Sequence, residues 1–407
     1  MQPAARPGLW QMCAAGAVLL LVMAGAARAA PAQTDDGAYT RYELLAPSSH
    51  KFRIVYDITA TTPGARTYYN PIRAGSIATD EHVTDRATGA PLAFAEVDGE
   101  IARTGGVANA PPGSRYIAVT LARPVPEGGG GRIRIDKTYE DAKSYYSDGD
   151  AIVFDRSLGI KRNSIVLPAG YRLVSVNVLV QVLQQADGRI ALSFLNASPA
   201  PMPLRIRAVP GGVMAAGSAM AARLVERAAQ TREIVYYLRE PDTHSFDLTH
   251  DYTEERAGVG AYVNVVRAGS TVSNPSARDL DTGAALATEL VKGAAITAID
   301  PRETRVTADT TAVVFRFPPV AAGGSRRIRI AETYTDPDRY RVVAGELVWH
   351  RAFGRPANAV VLPAGWMLAN STIPAAISTT ADGRTRLDFL NPRPDDIDVV
   401  ITARRMP

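Results

Sequence analysis

The chain has 407 residues, 46% hydrophobic and 21% charged, with 33 Gly and 28 Pro. That length suffices for two or three domains with full cores, and the composition excludes a disordered or collagen-like chain. The 45 basic and 41 acidic residues leave a formal +4, too diffuse for a nucleic-acid surface.

Residues 1–29 read as a cleaved export signal. Arg6 supplies the positive end, Ala14 to Ala27 is apolar around Val18-Leu19-Leu20-Leu21-Val22-Met23, and Ala27-Arg28-Ala29 is a small-residue cleavage site. A retained anchor is the rival reading, but the apolar core is short against the roughly 20 residues of a membrane span. Cleavage removes Arg6, Arg28 and Cys13, which lowers the net charge from +4 to +2 and leaves no cysteine. The mature chain then has no disulfide, thiolate ligand or cysteine nucleophile. The expected location is the periplasm or exterior of a bacterium, with no transmembrane anchor.

The rest of the chain repeats itself. His50, Phe52, Asp57, Tyr68, Asn70 and Arg73-Ala74-Gly75-Ser76 recur as His244, Phe246, Asp251, Tyr262, Asn264 and Arg267-Ala268-Gly269-Ser270. Further along, Arg132-Ile133-Arg134-Ile135 recurs as Arg327-Ile328-Arg329-Ile330. Val166-Leu167-Pro168-Ala169-Gly170 recurs as Val361-Leu362-Pro363-Ala364-Gly365. Such self-similarity marks two copies of one unit, at 39–209 and 233–404. The intervening 210–232 is Ala-rich and reads as a spacer or short helix from Met214 to Gln230.

Within a copy the apolar period is 2. Phe52, Ile54 and Tyr56 share one strand face with His50, and Phe246, Leu248 and His250 share one with His244. More strands are expected at Tyr116–Leu121, Arg132–Thr138, Ile152–Asp155, Tyr171–Leu183, Arg189–Leu195 and Leu204–Val209. Turn signals at Thr88-Gly89, Asp98-Gly99, Gly128 to Gly131 and Asp187-Gly188 separate them. The expected fold is all-β: a tandem duplication of an elaborated antiparallel β-sandwich joined by a short helical linker.

Candidate chemistry is sparse. The histidines fit no metal-ligand spacing, and His244 and His250 lie about 20 Å apart along a straight strand, too far for one ion. No nucleophile elbow or phosphate loop is present. The glycines at 128–131 read as a flexible hairpin. The shared polar group is Thr138-Tyr139-Glu140-Asp141 with Thr333-Tyr334-Thr335-Asp336. Tyr139, Asp141, Tyr334 and Asp336 fit a buried Tyr anchor with an Asp-capped turn, or a site for sugar hydroxyls or for Ca²⁺ with Asp148 and Asp150. On the first reading Tyr334→Ala costs about 2 to 4 kcal/mol and Asp336→Ala about 1 kcal/mol. Arg73 and Arg267 fit a bidentate lock on a carboxylate such as Asp85 or Asp279, or an anion site. Tyr171 and Trp366 fit aromatic plugs at a strand start, or an exposed recognition platform.

The opening Tyr42-Glu43-Leu44, the strand His50-Lys51-Phe52 and the later Thr138-Tyr139-Glu140-Asp141 resemble the β-rich N-terminal domains of zinc aminopeptidases. The resemblance covers strands only and reaches no zinc motif or helical catalytic domain, so it assigns no functional residue.

The expected function is an exported, non-catalytic binding or scaffold module of the bacterial envelope, with a protein or glycan partner. The alternative is a secreted or periplasmic hydrolase or lyase acting on an extracellular polymer through Asp, Glu, Tyr or Arg. Neither a cofactor, a metal nor a nucleic acid is implied.

Overall fold

Alternation of apolar and polar residues dictates strands, and strands dominate. The computed structural model describes residues 30–196, 200–212 and 225–406. The expected leader and most of the spacer lie outside these residues. The described chain is nearly all β, with 28 strands in five sheets and α-helix confined to Gly99–Thr104 and Ala294–Ile299. Among the described residues no helix is long and apolar enough to cross a membrane.

In the first half, a seven-stranded sheet runs in the order 181–184, 190–195, 162–166, 35–44, 51–60, 131–140, 77–85. In the second half, seven strands of a ten-stranded sheet run in the matching order 376–379, 385–390, 357–361, 233–238, 245–254, 326–335, 271–279. Each half adds a four-stranded sheet, built on Met202–Pro210 or Ile397–Arg405. Strands 67–72, 115–120 and 94–98 form a separate sheet in the first half, while strands 261–265, 311–316 and 285–292 extend the large sheet in the second.

The strand Lys51–Ala60 shows how sequence sets the core. Phe52, Ile54 and Tyr56 point inward and are buried, while Arg53 points outward. Side chains of two sheets meet there, with Phe52 edge-on to Phe154 at 5.4 Å between ring centres. In the second half Phe246 meets Trp349 edge-on at 6.2 Å.

Five local expectations are corrected. The sheets are not purely antiparallel: 35–44 pairs in parallel with 162–166, and 233–238 with 357–361. The expected strand Tyr171–Leu183 is two strands, Tyr171–Val176 and Gln181–Gln184, in different sheets. Asn177 fixes the corner between them, accepting from the Arg205 N–H and donating to Pro203 O. Asp98-Gly99 is no hairpin turn, because the Asp98 carboxylate caps helix Gly99–Thr104 through the Ile101 N–H at 2.9 Å. Within the spacer, residues 225–230 form a bend and turn instead of helix. Finally, His50 and His244 precede their strands in the left-handed conformation, at φ 53° and 52°, so neither belongs to the strand face expected for it.

Candidate functional site

Tyr139 and Tyr334 lie near the ends of strands Gly131–Glu140 and Arg326–Thr335 and point inward, 2% and 3% exposed. Beneath them sits an arginine that sequence reasoning missed. The Arg156 guanidinium lies 5.9, 5.4 and 5.7 Å from the ring centres of Tyr42, Phe52 and Tyr139. Its Nη1 donates to Asp141 at 3.0 Å. Arg351 repeats the arrangement with Tyr236, Phe246 and Tyr334, at 6.0, 5.1 and 5.6 Å, and donates to Asp336 at 2.9 Å. The available signal was an arginine at an inward position of the strands Ala151–Leu158 and Glu346–Phe353.

Asp141 also accepts from Ser76 Oγ at 3.1 Å, Ser144 Oγ at 2.7 Å and the Lys143 and Ser144 N–H groups. Burial pushes its carboxyl up, but the Ser144 and Ser76 bonds and the Arg156 charge outweigh it and hold it low. Asp336 accepts from Ser270 Oγ at 3.0 Å. Asp148 pairs with Arg207. Among the described residues, no three or more His, Cys, Asp or Glu side chains cluster as a metal site would require.

The other expected residues scatter. Arg73 is exposed and Arg267 half-buried, and neither pairs with the carboxylate suggested for it. Asp85 instead accepts from the Ala87 N–H at 2.6 Å, and Asp279 pairs with Arg326 and accepts from the Asp281 N–H. Trp366 is buried, donates to Glu240 at 3.3 Å and lies under Arg405, whereas Tyr171 is half-buried against the core. His50 and His244 place Nδ1 at 3.0 and 2.8 Å from the carbonyls of Tyr145 and Tyr340.

What the structure brings together is a cleft of about 610 Å³ in the first half. Its walls include Tyr42, Tyr56, Tyr68, Tyr69, Tyr116 and Tyr139, and Arg73 and Asn70 also line it. Tyr68 donates to Asp35 at 3.0 Å, and the Tyr56 and Tyr68 hydroxyls lie 3.4 Å apart. Burial pushes both phenols up, so they stay neutral and can donate and accept.

Lys137 also lines this cleft. It is 4% exposed, and its Nζ donates to Asn70 Oδ1 at 2.5 Å and lies 4.9 Å from the Tyr139 ring centre. Burial pushes its ammonium down to about 7, against the pull of Glu81 and helped by Arg156. In the second half the aligned position holds Glu332, which accepts from Asn264 at 2.7 Å and is pushed up to about 7 by burial. A smaller cleft of about 430 Å³ lies beside it, lined by Arg232, Tyr252, Tyr262, Asn264 and Arg355 among others.

No family model and no curated protein matches the chain. Among solved structures it is similar to an M1 zinc metallopeptidase from Deinococcus radiodurans, at 11% identity and a TM-score of 0.31, over 44% of this chain and 42% of that one. It is also similar to an aminopeptidase N family protein from Idiomarina loihiensis, at 10% identity and a TM-score of 0.27, over 42% and 29%. A proposed protease from Parabacteroides distasonis aligns over 93% and 94%, at 11% identity and a TM-score of 0.26. The chain spans less than half the length of the two peptidases. Likenesses of this size assign it neither a family nor an activity.

Proposed function

We propose that this chain is an exported, non-catalytic binding module of the bacterial envelope, made of two copies of one β-sandwich, whose first copy holds a saccharide. The observation that carries the reading is the cleft walled by six tyrosines, with Asn70 and Arg73 also lining it. Phenol rings cover the apolar faces of sugars while neutral hydroxyls and amides meet their OH groups. Asp35 is the one carboxylate among the cleft-lining residues, whereas acid-base hydrolysis of a glycosidic bond uses two. The matching strand order of the halves and their recurring residues support duplication. The charge, apolar run and small-residue end of residues 1–29 support export.

The test is a glycan array followed by calorimetric titration, with Gly159→Trp as the blocked variant. Gly159 lines the cleft, and a Cβ there meets only Pro201 within 4 Å, at 3.8 Å, so the wall has room for an indole at this position. Binding by wild type that disappears in Gly159→Trp, at unchanged melting temperature, supports the reading. An empty array, or binding that survives the indole, removes it.

A further inference from the structure

We propose that the ligand of the first-half cleft is an acidic saccharide whose carboxylate pairs with Lys137; the inference rests on the saccharide reading above. A buried charge is held by a counter-charge or by several hydrogen bonds, and the other deeply buried cations follow that rule. Arg132 pairs with Asp281, Arg156 with Asp141, Arg327 with Asp251 and Arg351 with Asp336. Arg162 and Arg227, which pair with no carboxylate among the described residues, donate to backbone carbonyls instead. Lys137 has three N–H donors, and Asn70 Oδ1 is the acceptor found for them among the described residues. No described carboxylate lies within 4.0 Å of its Nζ, Glu81 at the facing bulge acts on it only from beyond that distance, and Asn70 is neutral.

The second half gives an independent reason to look for a ligand. Glu332 occupies the aligned position and meets the aligned asparagine, Asn264. The fold therefore accommodates an acid where the first half has a base, and backbone packing does not demand Lys137. A lysine retained at a burial penalty, facing a cleft, fits a counter-ion that arrives from solution. Arg73, which lines the same cleft and has no ion pair among the described residues, adds a second positive charge near the entering group. Arg156 does not compete, because Asp141 already neutralises it. Asp35 is engaged by the Tyr68 hydroxyl.

Calorimetric titration of the mature protein with trigalacturonate, maltotriose and acetate tests the inference, alongside Lys137→Met and Lys137→Arg. Trigalacturonate should bind wild type about tenfold or more tighter than maltotriose, roughly one ion pair in free energy. Lys137→Met should abolish that preference while retaining residual saccharide affinity, and Lys137→Arg should keep part of it. Thermal melting of each variant shows whether it is folded. Equal affinity for the acidic and neutral sugars, or an undiminished preference in folded Lys137→Met, overturns the inference and leaves the saccharide reading standing. Binding of acetate as tight as trigalacturonate also overturns it, since the sugar then contributes nothing. Failure of both sugars at millimolar concentration also overturns this inference, while the saccharide reading stands or falls by the glycan array.

Discussion

Lys137 and Glu332 stand at aligned positions, each bonded to an asparagine and each removed from water, and their contributions to stability run oppositely with pH. Lys137 titrates near 7 when folded, against an ordinary 10.5, so between those values the unfolded chain binds more protons. Its contribution therefore improves as pH rises through that window and is lost as pH falls through about 7. Lys137→Met should stabilise the apo protein by roughly 2 to 4 kcal/mol at pH 6 and hardly at all at pH 10.5. Glu332 titrates near 7 when folded, against 4.5, so the folded chain binds more protons between those values and stability falls as pH rises. Glu332→Gln should stabilise by roughly 1 to 3 kcal/mol at pH 8 and not at pH 4. Urea unfolding across pH measures both, and a pH-independent difference from wild type in either variant refutes this account. The Tyr-x-Asp residues obey another rule. Asp336→Ala leaves Arg351 buried among three aromatic rings without its charge partner, so about 3 to 5 kcal/mol should be lost. That exceeds the loss of about 1 kcal/mol expected for a turn cap alone. A loss under 1 kcal/mol in urea would show that Arg351 finds other partners.

Among the elements, strands with a clean period of 2 were legible, such as Lys51–Ala60 and Gly131–Glu140. The parallel pairing of 35–44 with 162–166 was not, because it joins segments over a hundred residues apart and no local pattern encodes the partner. The six-residue helices were missed since they are too short to show a 3.6-residue period. The cleft was missed for a related reason. Its residues come from separate strands, although the period that turns Ile133, Ile135 and Tyr139 inward places Lys137 on that same face. The glycine turns carry more than flexibility. Gly283 has φ +76°, and a Cβ there would lie 2.7 Å from the Glu127 carbonyl of the other half. Gly170 has φ +79° and open space around it. Both alanine substitutions incur the left-handed penalty of about 1 kcal/mol, but Gly283→Ala must also displace backbone. Its total should reach roughly 2 to 4 kcal/mol. Chemical denaturation that ranks the two variants equally would mean the 279–284 turn is not held against the 126–130 hairpin.

Across the whole molecule, the halves meet through reciprocal contacts of these turns and hairpins. Gly130 donates its N–H to Leu280 O at 2.7 Å, and Ser325 donates its own to Ala87 O at 3.1 Å. At the centre Arg132 forms a two-pronged pair with Asp281, at 2.5 and 2.8 Å, and also donates to Ser325 Oγ and O. The Arg132 and Asp281 side chains are 6% and 5% exposed, so water contributes little to holding either charge. Each half has its own large apolar cluster, so polar contacts between them, these and the pair of Lys161 with Glu233 at 2.9 Å among them, contribute to their coupling. Asp281→Ala leaves Arg132 uncompensated and frees the Arg327 N–H that Asp281 accepts at 3.0 Å. About 3 to 5 kcal/mol of coupling should disappear. Scanning calorimetry of wild type should show one cooperative transition, and Asp281→Ala should split it into two of smaller enthalpy. Glu255→Ala, which removes the exposed partner of Arg86 across the same boundary, is the control and should cost under about 1 kcal/mol without splitting the peak. A single sharp transition in Asp281→Ala, merely shifted down, would place the coupling in the backbone contacts of the glycine turns instead of the buried pair.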